Sequence, residues 1–148
     1  MNKGLLTSAE AIARLILGLV FGWAGWIKLR DPQAFADSIH SFAVLPSALI
    51  NPLALGLPVL ELATGLLLLL GVKRRTCAGL AAVMSLVFAL ALAQALIRGL
   101  NVDCGCFGGG APSTAKNVLA LVRDGALVGL AGLVMWRARV TPAPMEQV

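Results

Sequence analysis

The chain has 148 residues, of which 59% are hydrophobic and 13% are charged, and its mean hydropathy is +0.89. A soluble domain is roughly 45–50% apolar and about 25% charged, so the composition excludes an ordinary soluble domain and indicates a bilayer protein. The net charge of +5 does not indicate a nucleic-acid surface, because the basic residues cluster at the ends of predicted helices. Three cysteines allow at most one internal pair, which excludes a disulfide scaffold.

The first apolar stretch begins at a helix start near Ser8 and runs to Leu29, with Arg14 inside it. A helix crosses the hydrocarbon core of a bilayer in about 20 residues, so this stretch is long enough to span. Gly18 and Gly22 form a small-xxx-small pair. The pair favours close helix packing, with scattered membrane glycines as the alternative interpretation.

A short amphipathic helix is predicted next. Asp31 supplies its cap and Pro32 its first residue, and we expect it to end near Leu45. Its apolar residues recur at i, i+4 and i+7, namely Phe35, Ile39 and Phe42. One apolar face on a helix too short to span indicates that it lies at the membrane interface.

Three more spans are predicted, from about Ile50 to Gly71, from about Thr76 to Ile97 and from about Ala115 to Trp136. Pro52 falls in the first turn of the second span, where proline is tolerated, and Pro58 should kink that span. The last span holds a second small-xxx-small pair, Gly125 and Gly129.

These elements predict an all-α integral membrane protein. Its single domain, residues 1–140, is a bundle of four transmembrane helices with the short interfacial amphipathic helix on the periplasmic side. Residues 141–148, with two prolines, are predicted to be a disordered tail.

Four spans put both termini on one side of the membrane. That side would hold Lys3, Lys73, Arg74, Arg75, Arg137 and Arg139, against Lys28, Arg30, Arg98 and Lys116 on the other. The positive-inside rule makes the first side cytoplasmic. We therefore expect a bacterial inner-membrane protein whose interfacial helix and last inter-span loop face the periplasm, where cysteine pairs form disulfides.

That loop carries Cys104 and Cys106, separated by Gly105 and followed by Phe107 and Gly108. Cα atoms two residues apart lie near the upper end of the range that a disulfide accepts, and the flexible backbone of glycine helps to close so small a ring. A strained, exposed disulfide is more oxidising than a structural one. The spacing therefore indicates a pair that exchanges disulfides with another protein.

Other interpretations of the pair stay open. It is alternatively a static disulfide that shapes the loop, a covalent link to a partner, or two thiolates that bind Cu(I) or Zn. Cys77 is predicted at the opposite membrane face, where it would be a packing residue. His40, the one histidine, is interpreted as a surface residue rather than a proton shuttle or ligand.

Four ionisable residues fall inside the predicted spans: Arg14, Glu61, Arg123 and Asp124. Charges at such depth need partners and are candidates for function. Glu61 could pair with Arg123 or with Arg14, and such pairs would lock the bundle. The functional alternative is a polar core beneath the cysteine loop that takes a quinone head or relays protons.

Several segments resemble the DoxX-like superfamily: Arg14–Gly18 with Ala24–Leu29, Phe42–Pro46, and Leu60–Gly65. The string Arg98–Gly108, which contains Asp-Cys-Gly-Cys-Phe-Gly, followed by Arg123-Asp124, narrows the resemblance to the methylamine-utilisation MauE family. The resemblance covers nearly the whole chain.

This resemblance implies a four-helix inner-membrane protein that works with a thioredoxin-like periplasmic partner on a disulfide-containing periplasmic client. MauE proteins are similar in plan to quinone-linked disulfide-forming enzymes, which use two cysteine pairs. This chain has one outer pair, Cys104 and Cys106, so a partner would supply the second. The rival functions are a non-enzymatic membrane anchor or assembly factor and a soft-metal carrier.

Overall fold

The computed structural model describes residues 3–102 and 113–140, with the side chains of residues 3–7 left aside. Five α-helices make up the described chain: α1 (Lys3–Arg30), α2 (Pro32–Ser41), α3 (Ser47–Leu70), α4 (Arg74–Ile97) and α5 (Thr114–Val140). The described ranges contain no strand, so the all-α prediction is confirmed. The predicted tail, residues 141–148, lies outside them.

Four of the helices are long and apolar enough to cross a membrane, at Ser8–Arg30, Ser47–Leu70, Arg74–Ile97 and Thr114–Val140. Large apolar side chains cover their outer surface, as Leu19, Leu70 and Leu119 illustrate with exposures of 62%, 75% and 71%. A soluble protein rarely exposes so much contiguous apolar surface. The four-span bundle of an integral membrane protein is therefore confirmed.

The spans alternate in direction, which creates two ends. The loop end holds the end of α1, helix α2, Val102 and Ser113; the terminal end holds the start of α1, the turn after α3 and the end of α5. The described segments that flank the cysteines thus reach the loop end.

Side-chain caps define where two helices begin. Asp31 accepts a hydrogen bond from the backbone N–H of Ala34 at 3.0 Å, and Pro32 follows it as the first helical residue. Ser113 accepts one from the N–H of Lys116 at 3.3 Å. The Asp31 cap was predicted, because Asp and Ser satisfy N–H groups that the first helical turn leaves unpaired.

Helix α3 ends at Gly71, as predicted, in the left-handed conformation with φ 75°. The N–H of Val72 bonds to the carbonyl of Leu67 at 3.0 Å and that of Gly71 to Leu68 at 3.2 Å, the pattern of a Schellman cap. The start of α3 differs from the prediction. The helix begins at Ser47, so Pro52 lies in its second turn rather than its first.

Helix α2 packs its apolar face on the bundle. Phe35 is 4% exposed, and it shares a core cluster with Ile50 and Ala54 of α3. The helix ends at Ser41 instead of near Leu45, because Ala43 adopts a positive φ of 52°, which an α-helix does not accommodate. The amphipathic helix is confirmed, and its end was predicted several residues too late.

Helices α1 and α3 pack backbone to backbone. A methyl group placed on Gly65 would come within 2.5 Å of the backbone N of Gly22 and 2.8 Å of the carbonyl O of Gly18. One placed on Gly25 would come within 2.7 Å of the backbone N of Leu62. The predicted pair Gly18 and Gly22 is therefore used in close packing, and Gly65 is the residue that meets it.

Helices α4 and α5 pair through small side chains. Ala78 and Ala81 of α4 and Ala131 of α5 are each 0% exposed within the largest core cluster. The predicted pair Gly125 and Gly129 plays no such part, since added methyl groups there would meet nothing within 4 Å among the described residues.

A Gly65→Ala substitution should destabilise the bundle. The added methyl meets backbone atoms that cannot rotate away, and overpacking of this kind costs about 1–3 kcal/mol. We expect a lower thermal unfolding midpoint in detergent micelles.

Gly22→Ala is the matched control, because a methyl there meets nothing within 4 Å. It should leave the midpoint unchanged or raise it slightly through better helix propensity. Equal losses in both variants would contradict the proposed interface.

Candidate functional site

A fully buried ion pair joins α1 to α3 near the loop end. The Lys28 Nζ donates to both carboxylate oxygens of Glu61, at 2.7 and 2.8 Å, and the two side chains are 1% and 3% exposed. The close contact of Gly25 with Pro58 and Leu62 sets this register, because it brings the last turn of α1 against the middle of α3.

Aromatic rings enclose the lysine. Its Nζ lies 4.8 Å from the ring centre of Phe35 on α2 and 4.6 Å from that of Phe88 on α4. Ring faces attract cations, more strongly where water is excluded. Lys28 therefore holds α2 and α4 as well as α3 at the loop end.

A second ion pair lies on α5. The Arg123 Nε and Nη2 both donate to Oδ1 of Asp124, at 2.9 and 2.7 Å. The Asp124 side chain is 5% exposed and that of Arg123 is 21% exposed. Adjacent residues on a helix point in different directions, so the long arginine side chain has to fold back over its neighbour.

The two pairs meet at one cavity between all four spans. The centre of a water-sized sphere can occupy about 20 Å³ of this cavity. It is lined by Val20, Phe21, Ala24, Glu61, Ser85, Phe88, Arg123, Asp124 and Leu127. We call Lys28, Glu61, Arg123 and Asp124 the charged quartet; its formal charges sum to zero, which limits the cost of placing it in a bilayer.

Three of the four residues predicted for a polar core, Glu61, Arg123 and Asp124, line this cavity together. Arg14 does not join them, and the predicted pairing of Glu61 with Arg14 is wrong. Its guanidinium lies over Gly71 at the terminal end. Fourteen residues of helix, about 21 Å, separate it from Lys28, and there it faces the partial negative charge at the end of α3.

Sequence reasoning missed Lys28, which it assigned to the membrane boundary as a topology signal. The sequence does contain a signal for the Lys28–Glu61 pair. Glu61 needed a cation, and pairing the glycines of α1 with Gly65 of α3 in antiparallel order places Lys28 beside it. Ser85 was also missed, because a serine in a span carries no distinctive pattern.

The predicted cysteine site, Cys104, Gly105, Cys106, Phe107 and Gly108, lies outside the described residues. Its two flanks are described, and they are joined. The Thr114 hydroxyl donates to Oδ1 of Asn101 at 3.0 Å. Val102 is 2% exposed and packs with Phe42 and Leu92.

Cys77 is buried and free in the core cluster at the start of α4, which agrees with the packing role predicted for it. His40 is exposed on α2. Among residues 3–102 and 113–140 no group of three His, Cys, Asp or Glu side chains comes together to hold a metal ion.

The space for the centre of a water-sized sphere in the cavity is about 20 Å³. A quinone head would therefore need the lining side chains to move apart. The hydrogen-bond donors of Lys28 and Arg123 also already point at carboxylates.

Comparison with known proteins decides the family. The family model described as methylamine utilisation protein MauE matches residues 6–137. The chain belongs to the MauE family. No solved structure matches it.

Curated relatives agree with this membership. The chain is 38% identical to methylamine utilization protein MauE of Paracoccus denitrificans over 109 residues, 73% of this chain and 59% of that one. It is 36% identical to MauE of Methylophilus methylotrophus, over 64% of this chain and 50% of that one. The chain is 34% identical to MauE of Methylorubrum extorquens, over 88% of this chain and 70% of that one. The match thus spans half to three fifths of the first two relatives.

Removing one partner of the Lys28–Glu61 pair should be strongly destabilising. Lys28→Met leaves the Glu61 carboxylate buried without its cation, a loss of about 3–5 kcal/mol. We expect a large drop in the thermal midpoint in detergent, and the double variant Lys28→Met/Glu61→Gln should recover most of it.

Arg30→Met provides the control, since Arg30 is exposed two residues further along the same helix. Its midpoint should match that of the unmodified protein. A Lys28→Met midpoint equal to the control, or a double variant no better than the single, would contradict the buried pair.

Proposed function

We propose that this MauE-family chain is an inner-membrane thiol–disulfide redox protein that presents Cys104 and Cys106 to a periplasmic partner. The observation that carries the proposal is the Cys-Gly-Cys sequence between Val102 and Ser113, whose flanks both lie at the loop end. A chain that places two thiols one residue apart at a membrane face is suited to disulfide exchange.

The anchoring of the flanks supports this. The Asn101–Thr114 hydrogen bond joins them, and the Arg98 Nη1 donates to the carbonyl of Ala43 at 3.4 Å. These contacts connect the end of α4 to α5 and to the segment after α2. Both described flanks of the Cys-Gly-Cys sequence are thus held at the loop end, which supports a partner-facing role for the pair.

Oxidation of a client dithiol by the Cys104–Cys106 disulfide needs no other reactant. A thiolate of the client attacks one sulfur of the Cys104–Cys106 disulfide, and a mixed disulfide forms as the other sulfur leaves. The second client thiolate then attacks the mixed disulfide. The client gains a disulfide, and two electrons pass to the pair, which becomes two thiols. A thioredoxin-like partner whose own cysteine pair is a disulfide restores the Cys104–Cys106 disulfide by the same two exchanges; it takes up the two electrons and becomes a dithiol.

Charge supports a periplasmic position for the pair. The turn at the terminal end carries Lys73, Arg74 and Arg75 in succession, and Arg137 and Arg139 close α5 nearby. Basic residues next to spans favour the cytoplasm. Both termini are then cytoplasmic and the loop end lies in the oxidising compartment.

The names of the curated relatives suggest the process in which the client takes part. They are methylamine utilization proteins, so the client we propose is a disulfide-containing periplasmic protein of methylamine utilisation. In this account the charged quartet holds the loop end in shape. A quinone-coupled version of the proposal requires the lining side chains of the cavity to open, or a quinone site elsewhere on the bundle.

Cys104→Ser and Cys106→Ser, each made in the full chain, should abolish client disulfides, because either change removes half of the exchanging pair. The disulfide content of the periplasmic client, measured by thiol alkylation and mass shift, reports this. One of the two variants should also accumulate a mixed disulfide with the partner, since the resolving thiol is gone.

Cys77→Ser is the matched control and should leave client disulfides intact, because Cys77 is a core residue at the terminal end. Normal client disulfides in both loop variants would refute the redox proposal and favour a membrane anchor. Bound Cu or Zn that disappears with the pair would instead indicate a soft-metal carrier.

A further inference from the structure

The cavity of the charged quartet has unused hydrogen-bonding capacity. Ser85 of α4 is 3% exposed and lines the cavity. Its hydroxyl oxygen has no hydrogen-bond partner among the described residues. A buried hydroxyl without a partner is unfavourable, and such groups in proteins are usually satisfied by an ordered water.

Asp124 places a hydrogen-bond acceptor at the same cavity. Two hydrogen bonds from Arg123 end on Oδ1 of its carboxylate. Asp124 also lines the cavity. A carboxylate has about four lone-pair sites, and the two bonds from Arg123 use two of them.

The size of the cavity limits which ligand it can hold. A volume of about 20 Å³ exceeds the roughly 10–15 Å³ that one water molecule needs by the same measure. It is too small for a ring or a lipid chain. A cation is not required either, because the quartet is already neutral.

We propose that the cavity is a binding site for one water molecule, which donates a hydrogen bond to Asp124 and shares another with Ser85. The water joins α4 to α5 through polar contacts in the middle of the bundle. It hydrates a carboxylate that the bilayer would otherwise leave dry, and it occupies the space in which a quinone head had been expected. The site does not depend on the cysteine pair.

Infrared difference spectroscopy of the purified full-length protein in nanodiscs tests the site. Exchange of H₂¹⁶O for H₂¹⁸O should shift the O–H stretching band of a strongly bonded water to lower wavenumber. Ser85→Ala should move or weaken that band, since one partner is lost. Ser85→Val should abolish it, because its methyl groups fill the cavity.

Thr64→Val is the control, a buried hydroxyl on α3 that does not line the cavity, and it should leave the band unchanged. A band that neither Ser85 variant alters would overturn the proposal.

Should the Ser85 variants fail to fold, an electron microscopy map of the unmodified protein that resolves waters decides the matter. A single peak within hydrogen-bond distance of Ser85 and Asp124 supports the site. An empty cavity, or continuous density for a ring or acyl chain, refutes it.

Discussion

The fold depends on the contact of Gly18, Gly22 and Gly25 with α3. Backbone contact there brings α1 and α3 close enough for Lys28 to reach both oxygens of Glu61. The ion pair in turn draws in the rings of α2 and α4. Lipid tails are as apolar as leucine, so membrane helices gain little from hydrophobic burial and associate through close packing and polar contacts. This interface supplies both.

The consequence is a bundle whose two ends differ. From the middle of the bundle to the loop end, two ion pairs and a small cavity occupy the space between the spans, and α2 covers Lys28. Towards the terminal end the core is finely packed, with Ala78 and Ala131 fully buried, and a further ion pair, Arg74 with Glu10 at 2.6 Å, joins α4 to α1. Polar groups concentrated beneath one face are expensive in a bilayer. Three of the four charged residues were expected on sequence grounds to form a polar core, and their burial at one cavity is the reason to connect them with function.

Much of the fold follows from the sequence, because span length, Asp31 with Pro32, and Gly71 carry strong local signals. The partner of Glu61 could not be found that way. Lys28 sits at a helix end, where lysine ordinarily snorkels to water, and only the packing of glycine against glycine buries it. The same holds for Arg14, whose contact with Gly71 depends on helix register rather than on depth. Tertiary contacts, which a local sequence pattern does not reveal, determine the burial of Lys28 and the position of Arg14.

The central claim is that Cys104 and Cys106 form a redox pair facing the periplasm. A redox titration of intact cells or right-side-out vesicles, read by a membrane-impermeant thiol reagent, tests it most directly. The account predicts that both thiols become labelled from outside as the potential falls, with a two-electron midpoint. Labelling only after the membrane is permeabilised, or labelling that does not vary with potential, would contradict it.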